Sequence, residues 1–208
     1  MNFQAALTNV ALLWLLTTPH EFAHAWVATK LGDDTPRLQG RVTLNPLAHV
    51  DWIGTVLLPA VTSLIGAGFL GWGKPVSTNP SKLWGGLNGM ALVALAGPAS
   101  NVVFAVVLAA VAAATAHVNL AVANFAAHGV ELSLYLALFN LIPVPPLDGS
   151  KLLLAARFPV ELYSMVARYG FLALILLMAY TQVGYTLSNW SYQAAGFMLG
   201  WFQPYRVL

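Results

Sequence analysis

Apolar residues run in long blocks along this chain, separated by short polar loops, and one block carries ionisable side chains in its middle. That block, about Phe3 to Leu31, is long enough as a helix to cross a bilayer core of about 30 Å at 1.5 Å per residue. Pro19 interrupts it. A mid-helix proline frees a carbonyl one turn earlier, which Thr17 or Thr18 can rebond, and this predicts a kink that either admits water or serves packing alone. Lys30 to Asp51 is polar and rich in turn formers. Within it Arg37 to Leu44 alternates apolar and polar residues over its second half, which predicts a short strand or hairpin. Trp52 to Leu70 is apolar again but punctuated by Pro59, Gly66 and Gly68, and a second polar loop covers Gly71 to Gly86. Leu87 to Thr115 reads as a long apolar helix whose Gly97-Pro98-Ala99-Ser100-Asn101 and many alanines suit close approach to a neighbour. Ala116 to Val130 contains no lysine or arginine and reads as an outer connection. Leu132 to Ile142 is apolar, then meets Pro143, Pro145 and Pro146, which no regular helix tolerates, before Asp148-Gly149. Tyr163 to Tyr185 reads as a further span. Trp190 to Tyr205 reads as an amphipathic or membrane-skimming helix with Trp190, Trp201 and Tyr205 at the interface.

Composition turns these blocks into a class. The chain is 59% hydrophobic and 8% charged, with a mean hydropathy of +0.72, against roughly 25% charged residues in a soluble domain. The expectation is an all-α polytopic membrane protein: a transmembrane helix bundle with a short membrane-associated β-hairpin or strand after the first helix and a possible re-entrant segment. Residues 1–208 are expected to form a single membrane-embedded domain, with a core over about 3–156 and accessory helices over about 160–208. A net charge of +2 from scattered basic residues excludes nucleic acid as a partner and leaves those residues as topology signals. Lys30, Arg37 and Arg41 put the first loop on the cytoplasmic side, of a cell (inner) membrane in a multi-pass reading. The absence of cysteine excludes disulfides and thiolate metal sites. Met1 to Leu16 has neither a basic leader region nor a small-residue cleavage site, so it is expected to be retained.

The polar interruption in the first block is His20-Glu21-Phe22-Ala23-His24. On a helix the two histidines stand one turn apart on one face and can hold a single metal ion, while Glu21 points to an adjacent face. This is the H-E-x-x-H arrangement, in which two histidines bind Zn²⁺ and the glutamate acts as general base. With five histidines in 208 residues, chance supplies such a match only about 0.002 times per chain. Histidines paired by interhelical hydrogen bonds are the bland account, but they leave a carboxylate in an apolar helix without a counter-charge.

A catalytic zinc usually takes three protein ligands, so one is missing. Asp33 and Asp34 beside Gly32 look like turn residues. His117, His128 and Glu131 fall in the expected outer connection, and Glu161 begins a helix. Asp148, Asp51 and His49 remain. Asp148 follows a helix broken by three prolines, and irregular backbone at membrane depth is tolerated only in protein or beside a watery cavity. Asn45-Pro46 and the nearby apolar segment suggest turn and capping roles for His49 and Asp51, so Asp148 is favoured. For Asp148 to meet the inner half of the first helix, one of the two intervening apolar blocks has to turn back. Trp52 to Leu70, flanked by basic residues on both sides, is the better candidate for a re-entrant hairpin.

With His20-Glu21-Phe22-Ala23-His24 and Asn140-Leu141-Ile142-Pro143-Val144-Pro145-Pro146-Leu147-Asp148-Gly149 together, the chain resembles the site-2 protease family of intramembrane zinc metalloproteases. Leu44 to Asp51 and Ala96 to Asn101 are similar to its compact branch, which lacks PDZ and CBS domains. The resemblance covers about Leu16 to Leu154. It implies that His20, His24 and Asp148 bind one zinc ion, that Glu21 is the general base, and that Asn140 steadies the polarised substrate carbonyl. It also implies an endopeptidase acting on transmembrane protein substrates within the lipid bilayer, with Arg37 to Leu44 pairing with an unwound substrate segment. Asp51-Trp52, Gly97-Pro98-Ala99 and Pro19 depart from common family patterns without touching a ligand or the base. The competing readings are a membrane metal-binding protein or transporter, which has no need of Glu21, and a catalytically silent relative.

Overall fold

The computed structural model describes residues 3–65 and 71–202. Among the described residues the regular elements are eight α-helices with short 3-10 and π turns between them, and there is no strand. The β-hairpin expected after the first helix is therefore overturned. In its place Thr35–Leu38 forms a one-turn helix, α2, opened by Pro36, and residues 39–45 run irregularly. The alternation misled because burial is inverted there: Leu38 and Leu44 are 79% and 63% exposed, whereas Arg41 is 5% exposed. A strand reading assumes that the apolar residues face inward.

The chain forms two compact units, Met1–Gly89 and Met90–Leu208. In the first, helix α1 (Phe3–Lys30) runs unbroken through Pro19. The Thr17 and Thr18 hydroxyls donate to the carbonyls of Leu13 and Trp14, each at 2.8 Å, rather than to the Leu15 carbonyl that Pro19 frees. Leu12, Leu13, Leu16, Ala25 and Ala28 are fully buried. Against α1 packs α3 (Leu58–Ile65), tied by an Asn9 Nδ2 to Ser63 Oγ bond of 3.0 Å. A π-helical turn at Trp52–Leu57 leads into α3, and Asp51 opens that turn by accepting from the Ile53 and Gly54 amides at 3.0 and 2.9 Å. Capping is thus the role of Asp51. Trp52–Leu64 is apolar but too short to cross a membrane, and the remainder of the expected re-entrant segment, residues 66–70, lies outside the described residues.

Asp33 does more than turn the chain. It is fully buried, and it accepts from the Thr35 amide at 3.0 Å and the Asn79 amide at 2.6 Å, joining the end of α1 to a stretch 46 residues away. Burial pushes its carboxyl up, but the Asn79 amide, the Thr35 hydroxyl and amide, and Lys82 outweigh burial and hold it below its ordinary 3.8. A carboxyl with a depressed folded pKa adds stability above its unfolded value and loses it as pH falls through the folded one. Asp33→Asn is accordingly expected to lower the thermal unfolding midpoint in detergent at pH 6, with the gap to wild type closing below about pH 4. An equal gap at pH 6 and pH 3 contradicts this account.

In the second unit, α4 (Leu87–Thr115) and α5 (Leu120–Asn140) meet where the Ser133 hydroxyl donates to the Asn101 carbonyl at 2.8 Å. The connection before α5 is short. Asn119 caps α5 by accepting from the Ala121 and Val122 amides at 3.1 and 3.2 Å, so His128 and Glu131 lie on a helix and not in the outer connection expected from the lack of basic residues. The short helix α6 (Gly149–Ala155) is followed by α7 (Val160–Tyr180) and α8 (Val183–Phe202). α8 packs on α5, and its buried residues are Leu187, Ser191, Ala195 and Met198. Residues 203–205 of the expected interfacial helix lie outside the described residues.

Among the described residues, three helices are long and apolar enough to cross a membrane: α4, α5 and Val160–Met178 of α7. α1, with 28 residues against 29 in α4, is long enough, but Asn9, Thr17, Thr18, His20, Glu21 and His24 dilute its hydropathy.

Candidate active site

The helical spacing of His20 and His24 does what the sequence requires. Both are buried, at 6% and 4% exposure, and their Nε2 atoms stand 3.0 Å apart with the rings edge to face. Two imidazole nitrogens converging at that separation suit ligation of one cation, since each Zn–N bond spans about 2.0–2.1 Å. Glu21 is buried beside them, and its Oε2 accepts from the Val76 amide at 3.1 Å.

Val76 belongs to an extended stretch, residues 72–79, that is laced to the first loop. The Trp72 amide donates to Gly54 O at 3.0 Å, the Lys74 amide to His49 O at 2.9 Å, and the Thr55 hydroxyl to Trp72 O at 2.8 Å. Gly73 lies against α1: a Cβ there would stand 3.2 Å from Thr17 Cβ and 3.4 Å from Glu21 Oε1. The absence of a side chain at 73 lets this stretch reach the base.

Arg41 holds the arrangement together, and sequence reasoning used it only as a topology marker. Its guanidinium donates to the carbonyls of Ala48 and Lys74. Burial pushes Arg41 down, and the Glu21 carboxylate offsets only part of that, so Arg41 is a positive charge within electrostatic reach of Glu21. A basic residue in the loop that follows an apolar helix carrying Glu21 was the available signal. His49 is fully buried and donates from Nε2 to Thr43 O at 2.8 Å; burial pushes it down, the Thr43 bond raises it and Arg41 lowers it, which keeps the ring neutral. His49 is thereby tied to the backbone of its own loop.

Asp148 and Asn140 lie in the second unit, on either side of the proline-rich turn. Two glycines clamp that turn: a Cβ on Gly149 would collide with the Leu141 carbonyl, and one on Gly170 of α7 would collide with the Pro145 carbonyl. Asp148 stands at the start of α6 with its side chain making no cap. It is 8% exposed, and its Oδ1 accepts from Lys151 Nζ at 2.9 Å. Asn140 ends α5, and its Nδ2 donates to Leu136 O at 2.9 Å, so one of its two amide hydrogens is used within its own helix.

Among the described residues, buried histidines flank a buried glutamate on one helix in the H-E-x-x-H arrangement, and three other helices are long and apolar enough to cross a membrane. Over 180 residues, 82% of its length, the chain is 37% identical to a Bacillus subtilis protein named "Putative zinc metalloprotease YwhC", 79% of which is covered. Over 176 residues, 79% of its length, it is 31% identical to "Putative zinc metalloprotease Rip2" of Mycolicibacterium smegmatis, 64% of which is covered. No family model and no solved structure matches the chain. The chain belongs to the site-2 protease family, and the names of these relatives indicate a zinc metalloprotease.

Proposed function

We propose that this protein is an intramembrane zinc endopeptidase that hydrolyses peptide bonds within or near the transmembrane segments of other membrane proteins. The observation that carries the reading is the buried His20–His24 pair, Nε2 to Nε2 at 3.0 Å, with Glu21 buried beside it on a helix of a site-2 protease family chain. We assign Asp148, a buried carboxylate of the second unit, as third ligand to the buried His20 and His24, because two imidazoles and a carboxylate are the donor chemistry that holds zinc. Lys151 on Oδ1 of Asp148 fixes the carboxylate in the way outer partners orient metal ligands. When bound, zinc supplies Lewis-acid activation of a water molecule and of the scissile carbonyl.

The chain's own groups do the rest. Glu21 accepts a proton from the attacking water and returns it to the leaving amine, held in place by the Val76 amide with the Arg41 charge within electrostatic reach. The second Nδ2 hydrogen of Asn140 donates to the carbonyl oxygen as charge develops on it. Substrate helices have to unwind locally before their carbonyls are reachable, so small and helix-breaking residues in a single-span substrate favour cleavage. The basic residues of the first loop put the site nearer the cytoplasmic face of the cell membrane.

The test is cleavage of a single-span reporter by the purified full chain in liposomes, with zinc flux followed in the same vesicles. Zinc-dependent cleavage without flux supports the reading. Flux that persists in Glu21→Gln, with no cleavage at any stage, replaces it with metal transport. Bound zinc with neither activity replaces it with a silent relative.

A further inference from the structure

α4 is long and apolar enough to cross a membrane, and Asn101 sits at its midpoint, 14 residues from Leu87 and 14 from Thr115. Its side chain is fully buried, and neither Nδ2 nor Oδ1 has a hydrogen-bond partner among the described residues. A primary amide shut away from solvent costs free energy unless its donor and its acceptor are both met. At the middle of a membrane helix, bulk water is out of reach. Asn101 lies on the buried face of α4, with Gly97 and Ala105 one turn to either side, both buried. α5 meets that face: the hydroxyl of Ser133, itself fully buried, donates to the Asn101 carbonyl at 2.8 Å. Gly129 and Ala137, one turn to either side of Ser133, are buried as well. The positions flanking this contact therefore carry no more than a methyl group on either helix, which limits crowding around the amide.

The unmet groups define the chemistry of what fits. Nδ2 needs an acceptor and Oδ1 needs a donor. A cation satisfies only the oxygen and an anion only the nitrogen, and either brings a full charge to the middle of an apolar helix pair. A water molecule satisfies both, and the Ser133 oxygen, having donated its hydrogen to Asn101 O, can still accept. That makes three polar partners, the usual number for a buried water. We propose that Asn101 and Ser133 form a binding site for one structural water molecule inside the α4–α5 contact. The water accepts from Asn101 Nδ2 and donates one hydrogen to Oδ1 and the other to Ser133 Oγ. This goes beyond the proposed protease activity and stands independently of it.

The full chain, labelled with ¹⁵N at asparagine and reconstituted in liposomes, is the sample for solid-state NMR with magnetisation started on water. The Asn101 side-chain amide, assigned by its disappearance in Asn101→Leu and in Asn101→Ser, is expected to receive magnetisation from water. Thermal unfolding in detergent supplies an independent readout with a sign. Leucine has nearly the volume of asparagine without its hydrogen bonds, so Asn101→Leu is expected to lower the midpoint by about 4–8 °C, the scale of two hydrogen bonds in a chain of this length. A dry amide without a partner predicts the opposite, because an apolar side chain of the same shape relieves its cost. Ser133→Ala is expected to lower the midpoint and to weaken the transfer from water to Asn101 at least about twofold. An Asn101 amide that receives no magnetisation from water, or a midpoint raised by Asn101→Leu, overturns the proposal.

Discussion

Glu21→Gln is expected to lower kcat for cleavage of a membrane-embedded reporter by about 10³-fold, within the 10²–10⁴ range of a positioned general base, and to leave zinc content unchanged. Glutamine has the shape of glutamate, and its carbonyl oxygen can still accept from the Val76 amide, now 3.1 Å from Oε2. The extended stretch over residues 72–79 therefore stays in place. What is lost is a group able to take a proton from water. Removing the negative charge also leaves Arg41 without the carboxylate that acts on it, but its two backbone carbonyl partners remain. A variant that keeps more than about a tenth of wild-type activity removes Glu21 from the mechanism.

Asp148→Asn is expected to weaken zinc affinity by at least about 100-fold, more than the loss of an outer partner costs, and to abolish cleavage in parallel. Asparagine keeps the size of the side chain at the proline turn, so the clamp of Gly149 on Leu141 and of Gly170 on Pro145 is undisturbed. The change is one of charge: a neutral amide is a poor zinc donor, and it leaves Lys151, now 2.9 Å from Oδ1, without its counter-ion. Metal analysis of the purified variant against wild type reads the effect directly. Full zinc occupancy in Asp148→Asn shifts the third ligand to another residue, and the burial of His49 with its Nε2 committed to Thr43 makes that residue a poor substitute.

Much of the site was legible because its residues are chemically conspicuous. Two histidines four apart around a glutamate in an apolar block have few other uses, and Asp148 stands out as a carboxylate beside three prolines. α4 was legible for a similar reason: a long apolar run without charge has no stable alternative to a helix in lipid. The misreadings fall where side-chain chemistry was sparse. Arg37 to Leu44 alternates like a strand, but a strand needs a partner and an inward apolar face, and here Pro36 opens a helical turn while Arg41 turns inward to bind carbonyls. Ala116 to Val130 looked like a loop because it lacks basic residues, although Asn119 supplies the cap from which α5 begins.

The sequence by itself determined the long apolar helix of α4, the imidazole pair and the glutamate beside it, because helix periodicity and the scarcity of polar residues leave those groups one local geometry. Only the tertiary structure decided how Glu21 is held. The Val76 amide, Gly73 and Arg41 come to it from 20 to 55 residues away. Loop paths of that length are set by which backbone groups find partners on burial, and no local pattern along the chain records that outcome.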